Sequence, residues 1–316
     1  MKYFLGIDTS NYRTSCALCD EDGNVVKQVR RLLPVKNGEV GLRQSEALFE
    51  HVKALPEIME PLGSFVPCAV GYSAKPRDVQ GSYMPCFLAG ASVARCVASG
   101  FGVKAYPFSH QAGHVKAAAY SCKEVKLSCG KTFFDMTESK GEFLTFHLSG
   151  GTTEALYYKN GELSILGKTL DLNAGQAIDR VGVMLGMDFP CGEELEKLSE
   201  GQPMTKGIKI SVKGFDCNLA GIENLAKRKF TEGEKPEIIA AFALDSVIKT
   251  VDKMTENILL QYPNLPVLYA GGVASCKRMA EYLLKKYDCA FASPELSGDN
   301  AAGTALLCRK AYLSDK

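Results

Sequence analysis

The residue types and the charge that this sequence lacks already exclude some classes of function. Its 316 residues include no tryptophan and only four histidines, and the net charge is +1. Because no excess of positive charge attracts the whole chain to nucleic acid, any RNA contact would have to use local basic clusters such as residues 227–229 and 285–286. Clusters of that size are usually solvated faces of helices.

Long apolar runs are also missing. No stretch approaches the roughly 20 apolar residues of a transmembrane helix, and the apolar run at the N-terminus is too short for a signal peptide. We therefore expect neither a membrane partner nor a secretory signal. Twelve cysteines are scattered from Cys16 to Cys308, mostly inside apolar segments. That placement is typical of small buried residues and not of a disulfide framework, so we expect a reducing, cytoplasmic location.

A hairpin pattern that occurs twice is the most informative feature present. In residues 3–28 and again in residues 143–166, an apolar strand reaches a short loop rich in hydroxyl groups, and two further strands follow around a tight turn. The turn is Asp22-Gly23 in the first copy and Asn160-Gly161 in the second, and both pairs suit the positive φ angles of tight hairpins. The pattern indicates two related domains that enclose a ligand, although two unrelated hairpins would give the same pattern.

Strands and helices alternate after each hairpin, which is typical of an α/β architecture with mixed sheets. The spacing predicts a helix over residues 44–60, with Val52 and Leu55 on its apolar stripe and a kink or break at Pro56. The charged segment at residues 121–141 is expected to form a surface insertion.

Two histidines are spaced so that one metal ion could bind both. His110 and His114 are four residues apart at the start of a predicted helix, so they share one face. A zinc peptidase would have glutamate beside the first histidine, where this chain has Gln111, so that activity is disfavoured. A third histidine, His147, opens the second hydroxyl-rich loop and favours a metal over a chance pair on a surface or core face. Asp299 could add a carboxylate oxygen.

Three further features suit a nucleotide. The loop at residues 149–153 offers backbone N–H groups and hydroxyls that can hold a phosphate. Gly271 and Gly272 stand between a predicted strand and a helix, where a ligand can approach the backbone closely. Asp179 could bind a ribose hydroxyl, or could equally be an exposed helix carboxylate.

Short motifs of these residues follow one another in a fixed order: Gly6-Ile7-Asp8-Thr9-Ser10, His110-x-x-Gly113-His114, Ser149-Gly150-Gly151-x-Thr153, Ala174-Gly175-x-Ala177-x-Asp179, Ala270-Gly271-Gly272-Val273 and Asp299-Asn300-Ala301-Ala302. The set resembles the threonylcarbamoyltransferase family. Its members complete threonylcarbamoyladenosine in tRNA and were once described as O-sialoglycoprotein endopeptidases. The resemblance runs nearly from end to end of the chain.

The resemblance implies the fold of the actin, hexokinase and chaperone-ATPase superfamily, with two duplicated ribonuclease-H-like lobes around a central cleft. The first lobe would cover residues 1–108, completed by a helix at 300–316, and the second would cover residues 109–299. It also implies a threonylcarbamoyl-adenylate donor, or ATP or AMP as ligand, and tRNA bound through basic patches or partner proteins. A homodimer and a heterodimer with a paralogue both remain open.

The resemblance also implies roles for individual residues. For one divalent ion, iron or zinc, the implied ligands are His110, His114, Asp299 and His147. For the substrate and the adenine nucleotide, the implied contacts are His147, Leu148, Ser149, Gly150, Gly151, Asp179, Gly192, Gly271, Gly272 and Cys276. Asp8 and Ser10 are then the candidate catalytic residues.

This chain departs from the family pattern on the side of the nucleotide and the acceptor. Cys276 stands where the family has an asparagine that contacts the nucleotide, and Asp8 stands where it has a glutamate. The main expectation is metal-dependent transfer of a threonylcarbamoyl or related carbamoyl group from an adenylate to an amine, most directly the tRNA adenosine next to the anticodon. The alternatives are a regulatory nucleotide-binding paralogue without catalysis and a carbamoyltransferase with a small-molecule acceptor.

Overall fold

The computed structural model describes residues 2–10, 12–34, 42–298 and 300–316. Within these ranges the strands are β1 (Tyr3–Ser10), β2 (Arg13–Asp20), β3 (Val25–Leu32), β4 (Pro67–Lys75), β5 (Lys104–Ser109), β6 (Glu142–Leu148), β7 (Thr153–Lys159), β8 (Glu162–Lys168), β9 (Ser211–Lys213), β10 (Asp216–Asn218), β11 (Val267–Ala270) and β12 (Cys289–Phe291). The α-helices are α1 (Gln44–Met59), α2 (Phe87–Phe101), α3 (His110–Ser121), α4 (Phe133–Glu138), α5 (Ala174–Met184), α6 (Gly192–Leu198), α7 (Gly221–Thr231), α8 (Pro236–Gln261), α9 (Lys277–Leu283), α10 (Pro294–Ser297) and α11 (Ala302–Ser314). Short 3-10 turns cover Glu60–Leu62 and Gly272–Ser275.

The first compact unit comprises Met1–Ser121 and Glu295–Lys316. Its sheet has the order β3-β2-β1-β4-β5. The three hairpin strands are antiparallel, whereas β4 and β5 run parallel to β1. Successive residues of β1 serve opposite faces of this sheet: Leu5 packs in the cluster that includes residues of α1 and α2, and Phe4 contacts Tyr312 of α11 edge to face.

Helix α11 comes from the end of the chain and packs closely on α3. A Cβ atom added to Gly303 would overlap the carbonyl of Gly113 in α3, so the two helices meet backbone to backbone. The lobe boundary expected after residue 108 falls before α3. The structure instead has α3 within the first unit, through Ser121, because α3 packs on α11.

The second compact unit comprises Cys122–Pro294, and its sheet has the order β12-β11-β6-β7-β8. Here too an antiparallel three-stranded hairpin continues into two parallel strands. The second turn has positive φ at both expected residues, 54° at Asn160 and 97° at Gly161, whereas the first has it at Gly23 alone, 86°. The predicted repeat of two related α/β lobes is therefore confirmed.

The core of the second unit forms between this sheet and α8. The aromatic rings of Phe146, Tyr269 and Phe291, one from each of three neighbouring strands, are stacked at centroid distances of 5.3 and 4.9 Å. Met254 and Ile258 of α8 are fully buried in the same core. This packing holds the ends of β6 and β11 side by side, which matters for the loops that follow them.

The segment at residues 121–141 is not simply a surface insertion. It contains α4, and Phe133 at the start of that helix is fully buried with its ring against Phe143 of β6. Leu127 is also buried. Buried apolar residues among the charged ones attach the segment to the second unit. The mean composition of the segment does not reveal these buried residues.

The expectations for the helix over residues 44–60 were confirmed only in part. The helix expected over residues 44–60 is present, but Pro56 lies inside it and Val52, expected on the buried stripe, is 55% exposed.

Among the described helices, none is both long and apolar enough to cross a membrane. Most of the cysteines are buried, as their placement in apolar segments predicted.

Candidate functional site

The two histidines of the first unit converge on one point. His110 begins α3 directly after β5, and its Nε2 lies 2.8 Å from Nε2 of His114, one helical turn later. The ring centroids are 4.3 Å apart and the rings are nearly perpendicular. Two imidazole nitrogens directed at the same place are the beginning of a metal site, because zinc and iron both accept neutral imidazole ligands.

A buried carboxylate fixes the orientation of the first imidazole. Nδ1 of His110 lies 3.0 Å from Oδ1 of Asp8, and the hydroxyl of Ser10 donates to Oδ2 of Asp8 at 2.6 Å. Burial by itself raises the pKa of Asp8, but the charge and hydrogen bond of His110, with hydrogen bonds from Ser10 and Ser73, bring it below its usual value. An ionised Asp8 accepts a hydrogen bond from the Nδ1–H tautomer of His110. In that tautomer the lone pair of Nε2 is available to accept a hydrogen bond or to bind a metal ion.

The two imidazoles are a partial donor set for a divalent ion, and the remaining predicted ligands are placed as follows. His147 belongs to β6 of the second unit. Asp299 lies outside the described residues. Within the ranges that the structure describes, no group of three or more His, Cys, Asp or Glu side chains has the geometry of a metal site. The fit thus rests on the two imidazoles and on the carboxylate behind them, and iron or zinc remains a prediction.

Asp8 and Ser10, the candidate catalytic residues, are 0% and 2% exposed. Their side chains bond to each other and, through Asp8, to His110. In this arrangement Asp8 and Ser10 orient the ring of His110. A direct catalytic role for the two residues stays a prediction.

The hydroxyl-rich loop of the second unit is a tight turn built around one serine. After Leu148, the hydroxyl of Ser149 accepts hydrogen bonds from the backbone N–H groups of Gly151 at 3.3 Å and Thr152 at 3.1 Å. The N–H of Ser149 donates to the carbonyl of Thr152 at 2.8 Å. A Cβ atom added at Gly150 or Gly151 would meet nothing within 4 Å, so one side of this loop is open.

The N-terminus of α5 lies directly behind that loop. The N–H of Gly175 donates to the carbonyl of Ser149 at 3.1 Å, and the N–H of Ala174 donates to the hydroxyl of Thr153 at 2.8 Å. A Cβ atom on Gly175 would lie 2.7 Å from the Cα of Gly150. The positive end of the α5 dipole is therefore held against the loop, where it favours an anionic ligand.

The glycine pair after β11 joins the same place. In the parallel pairing of β11 with β6, Ala270 is opposite His147, so Gly271 comes next to Leu148. Gly271 has φ 101° and ψ 164°, and a Cβ atom there would overlap the backbone of Leu148. Gly272, one residue later, has open space around its Cα. The structure thus brings the loop, the α5 terminus and both glycines together.

Asp179 and Gly192 are also neighbours in space. Oδ1 of Asp179 accepts a hydrogen bond from the N–H of Cys191 at 2.9 Å, which places Gly192, the first residue of α6, beside it. Burial raises the pKa of Asp179, and the hydrogen bond from Cys191 partly offsets that rise. Their roles towards ribose and base stay predictions.

Cys276 is held by residues that the sequence did not single out. Its thiol donates to Oε1 of Glu196 at 3.3 Å, and the N–H of Arg278 donates to the same oxygen at 3.1 Å. The guanidinium of Arg278 forms a two-pronged ion pair with the fully buried Asp245, at 2.6 and 2.9 Å. Burial, followed by the nearby charge of Glu196, raises the pKa of Cys276 to about 12, so the thiol stays protonated.

These residues can be compared with known proteins. A family model described as TsaD, tRNA N6-adenosine threonylcarbamoyltransferase, matches residues 81–306, which is well over half of the chain. The chain belongs to this threonylcarbamoyltransferase family. The resemblance of the sequence motifs is thereby confirmed, and so is membership in a family of transferase enzymes.

Two relatives of this threonylcarbamoyltransferase family member show how far the similarity extends. A tRNA N6-adenosine threonylcarbamoyltransferase from Methanopyrus kandleri is 28% identical over 311 residues, covering 94% of this chain and 84% of the relative. A probable bifunctional tRNA threonylcarbamoyladenosine biosynthesis protein from Methanospirillum hungatei is 27% identical over 306 residues. That match covers 94% of this chain and 53% of the relative, so the chain spans about half of that longer protein.

Solved structures support the fold of the family. The activator of 2-hydroxyisocaproyl-CoA dehydratase from Clostridium difficile, with bound ADPNP, matches 99% of this chain and 96% of its own with a TM-score of 0.57 and 15% identity. A likeness at that identity shows the fold alone. With the two five-stranded mixed sheets, it confirms the expected actin-like α/β architecture of two duplicated lobes.

Proposed function

We propose that this protein transfers a threonylcarbamoyl group from an adenylate donor to a tRNA adenosine, the one next to the anticodon. The observation that carries the proposal is the convergence of the Ser149–Gly151 turn, the α5 N-terminus and Gly271 in a chain of this family. In this proposal the open side of that turn receives the phosphate of the adenylate, and Asp179 and Gly192 hold its nucleoside part.

The chain's own residues would contribute binding and positioning. The backbone N–H groups around the Ser149 turn and the positive end of α5 stabilise the negative charge that grows on the departing AMP. Asp8 holds His110 in one orientation. A divalent ion held by His110 and His114, with His147 and Asp299 as further proposed ligands, would supply Lewis-acid chemistry at the adenylate.

The structure bears on how tRNA would be bound. Each basic residue of the cluster at 227–229 has an acidic partner on or beside α7: Lys227 with Glu223, Arg228 with Glu232 and Lys229 with Glu234. Lys286 is paired with Asp252. Because these charges are largely neutralised locally, we propose that tRNA contacts come mainly through partner proteins. A tRNA-modifying role also fits the cytoplasmic location expected from the cysteines.

The direct test is transfer of labelled threonylcarbamoyl from the adenylate to unmodified tRNA, with and without candidate partner proteins. We expect label in tRNA, and none in a matched tRNA in which the adenosine next to the anticodon is replaced by another base. Label in neither tRNA, from protein that binds metal and AMP normally, would contradict the proposal and favour the non-catalytic paralogue. Label in a small amine but not in tRNA would favour the alternative acceptor.

Cys276 is the residue that favours a second candidate, a related transferase with a different substrate. An amide offers two donors and an acceptor, whereas a thiol is a weak partner, and this thiol is already bonded to Glu196. If the adenylate and tRNA are the natural substrates, Cys276→Asn should strengthen adenylate binding about tenfold, the equivalent of roughly 1.4 kcal/mol. Isothermal titration measures the change, and Cys129→Asn, at an exposed cysteine of the same unit, is the control. Unchanged or weaker binding by Cys276→Asn would favour a different substrate.

A further inference from the structure

Glu154 is a carboxylate buried in the sheet of the second unit. It belongs to β7 and is 6% exposed. A buried carboxylate costs free energy unless hydrogen bonds or an opposite charge compensate for its loss of water. The side chains that share its face of the sheet therefore decide what Glu154 does.

The strand register defines those neighbours. Residues directly opposite each other on adjacent antiparallel strands share a face, with their Cβ atoms about 4.5–5.5 Å apart. Glu154 is opposite His147 of β6 on one side and Lys168 of β8 on the other. Further along β7, the same face carries Leu156, which is apolar and buried. The row through Glu154 thus offers its carboxylate an imidazole and an ammonium group.

His147 is the better shielded of these two neighbours. It is partly buried, and beyond it the row continues to Ala270 of β11, which has no polar side-chain atom. Lys168, in contrast, is exposed, so its ammonium group can remain hydrated. In this row, the carboxylate of Glu154 is therefore the polar side-chain group next to the imidazole of His147.

A pair of the same kind is present in the first unit. There Oδ1 of the fully buried Asp8 lies 3.0 Å from Nδ1 of His110. An imidazole that binds a metal ion commonly donates its other N–H to a carboxylate or a carbonyl. A carboxylate suits this role because it only accepts hydrogen bonds, whereas an amide accepts or donates and would not select one tautomer.

We propose that Glu154 is a positioning residue for His147: its carboxylate accepts a hydrogen bond from one ring nitrogen and thereby fixes the tautomer of the imidazole. The other ring nitrogen is then the acceptor, in the form that can bind a metal ion. The inference rests on the proposed function only for that last role, in which His147 is a metal ligand. The hydrogen bond itself can be tested without metal and without tRNA.

The test is ¹⁵N NMR of the metal-free protein labelled at histidine, at a pH well above the ordinary pKa of imidazole. Because the chain has only four histidines, the signals of His147 are identified by their loss in His147→Gln. In the wild type we expect His147 to show one tautomer. In Glu154→Gln, which keeps the size of the side chain, we expect a mixture of both tautomers. Metal affinity, titrated against a chelator, should fall about 10–100-fold.

Glu142→Gln serves as the control variant, because Glu142 lies on the same strand as His147 and is paired with Tyr157 and Lys159. It should change neither the tautomer of His147 nor the metal affinity. Two tautomers in the wild type, or an unchanged tautomer in Glu154→Gln whether or not metal binding weakens, would overturn the inference while the proposed function stands. A mixture of tautomers with unchanged metal affinity would support the hydrogen bond and remove His147 from the proposed ligands.

Discussion

Gly271→Ala is expected to lower the free energy of unfolding by roughly 3–5 kcal/mol, the combined size of a backbone forced into a conformation that is essentially limited to glycine and of an overpacked contact. The angles at Gly271, φ 101° and ψ 164°, are outside the range of residues with a Cβ atom, and the added methyl group would overlap the backbone of Leu148. Since domains are stable by only about 5–15 kcal/mol, the loss is a large share of the total. Urea unfolding of the purified variant measures it.

The neighbouring glycine supplies the matched control. A methyl group on Gly272 would meet nothing within 4 Å, so Gly272→Ala should unfold at the same urea concentration as the wild type. It should nevertheless reduce the rise in melting temperature that AMP produces, because the methyl group enters the open space above the turn. If the two variants proved equally stable, the close contact between Gly271 and the backbone of Leu148 would be wrong. If Gly272→Ala responded to AMP like the wild type, the open side of the turn would not be the ligand side.

Loss of bound metal is the second large effect that we expect. His114→Ala removes one of the two converging Nε2 atoms and should leave the purified protein with little zinc or iron after dialysis. Asp8→Asn keeps the shape but not the charge behind His110, and should weaken metal affinity about 10–100-fold, as expected for the loss of a group that orients a ligand. Metal content and a titration against a competing chelator measure both effects without an activity assay.

His51 offers a matched control for that experiment. It is another of the four histidines, fully buried in α1, with Nδ1 2.8 Å from the hydroxyl of Thr14. His51→Gln should destabilise the protein yet leave its metal content unchanged. Equal metal in wild type, His114→Ala and Asp8→Asn would eliminate the histidine pair as a metal site.

The residues explain why some features could be predicted from the sequence and others could not. The repeat was predictable because alternation, hydroxyl-rich loops and the Asp22-Gly23 and Asn160-Gly161 turns are local signals. The convergence of the Ser149 turn with Gly271 was accessible only through the family resemblance, since it depends on β11 pairing with β6.

Other features depend on tertiary contacts that leave no local pattern. Glu196 accepts a hydrogen bond from Cys276, which is 80 residues away in the chain. Asp245 and Arg278 form an ion pair across 33 residues. In α1, periodicity predicted Val52 inside, while the structure buries His51 instead, because the helix presents a neighbouring face to the sheet.

The close contact of α11 with α3 has a consequence for the order of events during synthesis on the ribosome. The second unit is one continuous stretch, Cys122–Pro294, whereas the first is completed by Glu295–Lys316. Translation normally lets the earlier domain fold first. Here the strands of the first unit emerge long before α11, which covers Phe4 and approaches Gly113. The second unit can therefore reach its native state while one face of the sheet in the first unit is still uncovered, because α11 is synthesised after the second unit.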